Sequence, residues 1–166
     1  MNFKYFLNEA TKTTVQPKTE DELKDIIEDT IKEQGYNCDL NFIDTSKITD
    51  MSDLFAYAKF NGDISTWDVS NVESMENVFR FSKFQGDISK WNVRNVKNMS
   101  VMFESSEFNG DISKWNVSNV KDMRDIFRSS KFAGGISDWD VRHVKYAEDM
   151  FDSCPLENKS EFQPEF

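Results

Sequence analysis

Phe84-Gln85-Gly86-Asp87-Ile88-Ser89-Lys90-Trp91-Asn92-Val93 is one copy of a phrase that this chain writes four times. It occurs earlier as Phe60-Asn61-Gly62-Asp63-Ile64-Ser65-Thr66-Trp67 and later as Phe108-Asn109-Gly110-Asp111-Ile112-Ser113-Lys114-Trp115. Phe132-Ala133-Gly134-Gly135-Ile136-Ser137-Asp138-Trp139 is the fourth copy, and every step is 24 residues. The half of each unit that follows keeps the same step, with Val72, Val96, Val120 and Val144 in register and Phe79, Phe103, Phe127 and Phe151 behind them. A degenerate copy starts at Tyr36, with Ile43 in the Trp place, Ile48 in the Val place, Met51 in the Met place and Phe55 in the Phe place. About five units therefore fill residues 36–156. A fixed period of this length signals a repeat architecture, in which no single unit buries its apolar face and stacked copies do.

Within a unit the period changes. Phe60, Gly62 and Ile64 alternate with Asn61, Asp63 and Ser65, the pattern of a strand. Val72, Met75, Val78 and Phe79 are spaced as one face of a short helix, with Ser70 or Asn71 as its cap. The expectation is an α/β repeat solenoid, with a parallel sheet on one side and short helices on the other. Solenoid ends need covers, and residues 19–35 predict an N-terminal capping helix. Thr19 and Glu22 form a capping box, Leu23, Ile26, Ile27 and Ile31 an inner face, and Gly35 a stop. Residues 1–18 read as a leader and linker, and 157–166 as a flexible acidic tail.

Composition excludes several function classes. The chain has 166 residues, a net charge of −10 and 15 phenylalanines, so it is aromatic enough to fold and too acidic to favour a phosphate backbone. Residues 1–59 carry −5, residues 60–156 −3 and the remainder −2. The repeats are thus nearly balanced, and nucleic acid is not expected as a partner. No stretch is long enough to span a membrane, and residues 1–10 lack the apolar core of a secretory signal; a cytoplasmic or phage-virion setting is expected, with no membrane partner. Cys38 and Cys154 fall in the first and last units, roughly 19 Å apart at the usual strand spacing, too far for a disulfide. Two free thiols are expected.

The run D-I-S-x-W-N-V followed by Val96-Lys97-Asn98-Met99-Ser100-Val101-Met102-Phe103 resembles the BspA-like leucine-rich-repeat family over about residues 36–156. The resemblance implies a leucine-rich-repeat-like solenoid and a binding role, since many members are surface proteins that bind host or bacterial partners. It implies no catalytic site. Met1-Asn2-Phe3-Lys4-Tyr5-Phe6-Leu7-Asn8-Glu9-Ala10 looks like the head-targeting leader of some tailed-phage internal proteins, cut after a Leu/Ile-x-Glu triplet; the alternative is an amphipathic turn packed on the cap.

Four ladders are candidates for chemistry. Asp63, Asp87 and Asp111, extended by Asp39 and ended by Gly135, would form a docking stripe for Lys/Arg or weak Ca²⁺ sites, or else would shape turns through backbone amides. The four tryptophans would offer stacking faces to a ligand or form core, and core is the expectation. Asn71, Asn95 and Asn119, then His143, suit the capping of turn backbone groups. Glu73, Lys97, Lys121 and Lys145 form a short basic stripe, either a solvated face or a site for an acidic partner. The lone histidine leaves neither a transition-metal site nor a Ser or Cys triad. The reading is a non-catalytic protein-recognition module that binds a protein partner through Asp63, Asp87, Asp111, Asn61, Gln85 and Asn109, with no metal and no cofactor. A phage structural or head-packaged protein, and an acidic counter-defence inhibitor of a host enzyme, are the alternatives.

Overall fold

A computed structural model describes residues 14–165. The 24-residue units are closed coils laid in register on one another. The α/β solenoid is overturned. Among the described residues the repeats hold no helix, and no strand longer than an isolated bridge. The leucine-rich-repeat-like fold, with its parallel sheet and short helices, falls with it.

The segment that reads as a helix shows why. In coil 75–82, Val78, Arg80 and Ser82 donate backwards within the coil, to the carbonyls of Met75, Asn77 and Phe79. The odd-numbered amides turn sideways instead: Met75 donates to Asn98 O (2.8 Å), Asn77 to Ser100 O (3.2 Å), Phe79 to Met102 O (2.9 Å) and Phe81 to Glu104 O (2.9 Å). An α-helix sends every amide four residues back along its own axis. Here half of them tie one coil to the next. Left-handed residues make this possible: Asn77 has φ 59° and Phe81 φ 51°, with the same pair of positions left-handed in each coil from Asp53 and Tyr57 to Asp149 and Ser153. The apolar spacing of a helix face is also met by a chain of overlapping turns, so periodicity alone did not separate the two.

The strand side fails for a different reason. Between the first two coils, Asn61 donates to Tyr36 O, Asp63 to Cys38 O, and Leu40 to Asp63 O, giving one parallel bridge. Further along, side chains take the carbonyl's place: Gln85 N donates to Asn61 Oδ1 (2.7 Å) and Ala133 N to Asn109 Oδ1 (2.8 Å). Among the described residues, the β-bridges that run through all five coils form a row one residue wide, Asp50 to Ser74 to Asn98 to Asp122 to Tyr146.

Three corners of the coil are closed by Asx turns, in which a side-chain oxygen accepts the amide two residues on. Asp63, Asp87 and Asp111 serve the first corner. Asp68, Asn92, Asn116 and Asp140 serve the second, and Asp50, Asn98 and Asp122 the third. The interior is filled by aromatic columns. Phe60, Phe84, Phe108 and Phe132 are fully buried, with ring centroids 6.1–6.3 Å apart. Burying each such side chain stabilises the stack by roughly 1.5–3 kcal/mol, and offset stacking adds about 0.5–1.5.

Helix α1, Glu20–Gln34, caps the first coil. Thr19 accepts the Glu22 amide at 3.2 Å, and Glu22 reaches back to the Lys18 amide at 2.7 Å. Gly35, at φ 87°, returns its amide to Ile31 O. Leu23, Ile26, Ile27 and Thr30 form its buried face. Thr30 is polar and sits inside because its hydroxyl donates to Ile26 O at 2.7 Å. At the other end, a 3-10 turn at Ser160–Phe162 folds back on the last coil, where Ile136 donates to Phe162 O. Among the described residues, nothing accepts from the amides of Ala147, Asp149, Phe151 or Ser153, so that row of the last coil is an open edge.

Candidate recognition surface

The six residues expected to contact a partner are all exposed and stand on neighbouring coils. Each aspartate of the stripe is fixed by its own turn: Ser65, Ser89 and Ser113 donate their amides to Asp63, Asp87 and Asp111 at 2.9 Å. The Ser89 and Ser113 amides and hydroxyls hold the Asp87 and Asp111 carboxyls below the usual carboxylate range, against a smaller upward push from the aspartate one coil earlier. These carboxylates remain ionised and point from a defined backbone. Asn61 and Asn109 spend their carbonyl oxygens on bonds between coils, and Gln85 reaches Glu107 at 3.4 Å. The aspartates thus build turns and the two asparagines join coils, and all of them remain exposed.

The tryptophans are core, as expected. Trp67, Trp91, Trp115 and Trp139 are each 4% exposed, and each indole N–H donates to a carbonyl of the preceding coil, that of Leu40, Ile64, Ile88 or Ile112, at 3.0–3.2 Å. Asn71, Asn95 and Asn119 donate to Ser46, Ser70 and Arg94 carbonyls at 2.7–2.8 Å, the backbone-capping task their pattern suggested, although from exposed positions. Cys38 and Cys154 are free and buried, and burial pushes both thiols up. Among the described residues, no group of His, Cys, Asp and Glu could hold a metal ion.

Two features escaped the sequence reading. Tyr57 and Phe81 are exposed (65% and 43%) and stacked, with centroids 5.1 Å apart and Arg80 over both rings. The signal was present: later coils put Ser105, Ser129 and Ser153 at that position. The second is concavity. Glu73, Lys97 and Lys121 of the basic stripe, without Lys145, line an open groove of about 940 Å³ together with Lys18 and Lys47. Arg80–Glu104 (2.6 Å) and Arg128–Asp152 (3.2 Å) form ion pairs between coils.

Residues 22–107 and 59–163 each match the family described as Mycoplasma protein of unknown function, DUF285. The chain belongs to that family. The DUF285 matches together take in most of the capping helix and all the coils, and they extend to no leucine-rich-repeat assignment. No curated protein and no solved structure matches the chain. No described helix is long and apolar enough to cross a membrane. The phage-leader resemblance of residues 1–10 lies outside the described residues.

Proposed function

We propose that this DUF285 chain is a non-catalytic protein-recognition module whose contact surface is the exposed row of Asp63, Asp87 and Asp111 with Asn61, Gln85 and Asn109. One observation carries the reading: three carboxylates are held by identical Asx turns at the repeat of the coil stack. A surface ordered before contact loses little entropy on binding, and a broad open face suits a protein better than a small molecule, which prefers an enclosed pocket. The D-I-S-x-W run also supports kinship with BspA-like repeat proteins, many of which bind protein partners, though not their fold. The test is capture of a partner by immobilised protein beside the triple variant Asp63→Asn, Asp87→Asn, Asp111→Asn. Asparagine keeps the turn oxygen and removes the charge. A protein held by the parent and lost by a folded variant supports the proposal; capture indifferent to the variant sinks it.

A further inference from the structure

We infer that the lysine-lined groove is a second binding surface, separate from the aspartate row, and that it takes an acidic peptide segment of a partner protein. The chain carries −10 overall, yet this groove gathers Lys18, Lys47, Lys97 and Lys121 against a single acid, Glu73. Glu73 is itself engaged by Lys97 at 2.7 Å, which leaves three lysines of the lining in excess. Charge of one sign collected in a concavity focuses the field and draws in the opposite charge.

The floor is rigid. Asn71, Asn95 and Asn119 are tied to carbonyls of the preceding coil, and Glu73, Lys97 and Lys121 donate their amides to Thr49, Glu73 and Lys97 carbonyls at 2.7–2.8 Å. Only the lysine arms must order on binding. Lys47 to Lys121 spans three coil steps, roughly 14 Å at the usual spacing of paired backbones, the length of four or five extended residues. The net charge of −10 disfavours a long polyanion such as a nucleic acid, whereas a short carboxylate-rich segment meets only the local excess of lysine. Lysine also suits carboxylates as a mobile point charge without demanding bidentate geometry.

The experiment is fluorescence anisotropy of a labelled hexaglutamate peptide with the full chain at low and physiological salt. Saturable binding that weakens as salt rises is expected. Lys97→Glu with Lys121→Glu should weaken it by about tenfold or more, while Lys90→Glu with Lys114→Glu, exposed lysines outside the groove, should leave it within about twofold. Matched circular dichroism confirms that the variants are folded. Absence of binding at low salt, equal loss in both double variants, or tighter binding of an oligothymidylate of equal charge would each overturn the inference. The aspartate-row proposal stands or falls separately, because its triple variant leaves this groove untouched.

Discussion

Val101 is the sharpest place to test the turn-built coil. It sits at φ 61°, where the other coils have Asp53, Asn77, Asp125 and Asp149. Left-handed backbone costs an L-residue about 1–2 kcal/mol, and a β-branched side chain is its poorest occupant, whereas Asn and Asp tolerate it through local hydrogen bonds. Replacing Val101 by Asn removes about 1 kcal/mol of strain or more. The side chain is only half-buried, so the lost apolar contact offsets about half of that at roughly 25 cal/mol per Å². The net is a gain of about 0.5–1 kcal/mol, which for a chain of this size raises Tm by about 1–4 °C. Thermal and urea unfolding with an unchanged m-value would measure it. If residues 96–103 were instead a helix, Val101→Asn would remove an apolar contact with nothing in return, and stability would fall. A lower Tm in a folded variant therefore refutes the account of the coil.

Three further predictions follow from single contacts. Gly62→Ala puts a Cβ 2.0 Å from the Cys38 carbonyl oxygen, a backbone atom that cannot step aside, so it should cost about 3 kcal/mol or more; Gly110→Ala meets only the Phe108 ring at 2.8 Å, its nearest backbone oxygen being 3.8 Å away, and denaturant melts should show a smaller loss. Trp115→Phe removes the indole donor to Ile88 O, which keeps the Trp91 amide at 3.1 Å, so the same melts should show the loss of one hydrogen bond, about 0.5–1.5 kcal/mol. Asp87 and Asp111 have folded pKa values lowered from 3.8 by the serine amides, so their stabilisation is complete above that pH and is lost as pH falls through the depressed values. Tm should hold from neutrality to about pH 5 and drop below about pH 4, and the triple Asp→Asn variant should drop less steeply.

The period, the unit boundaries and the core residues were legible because stacked copies must repeat the side chains they bury: Phe60, Trp67, Val72 and Phe79 each recur at the step that places them in one column. Helix α1 was legible from Thr19, Glu22 and Gly35, whose capping chemistry is local. Backbone conformation inside the coil was not. Val72, Met75, Val78 and Phe79 satisfy a helix face and a run of turns equally, and the deciding feature, left-handed Asn77 and Phe81, carries no glycine to announce it. The sheet was misread because Asn61 and Asn109 look like solvent-facing strand residues, while their side-chain oxygens replace the ladder carbonyls. The stripe through Lys97 and Lys121 was legible from the period, but its concavity was not, because Lys18 and Lys47 join it only once the chain is folded.

Residue-resolved amide hydrogen exchange tests the central claim, coils tied sideways by alternate amides. The account predicts slow exchange at Met75, Asn77, Phe79 and Phe81 and at their counterparts through Met123, Asp125, Phe127 and Ser129, all of which donate to the next coil. It predicts fast exchange at Asp149, Phe151 and Ser153, which have no acceptor among the described residues. Equal protection of the last coil, or of none, would contradict it.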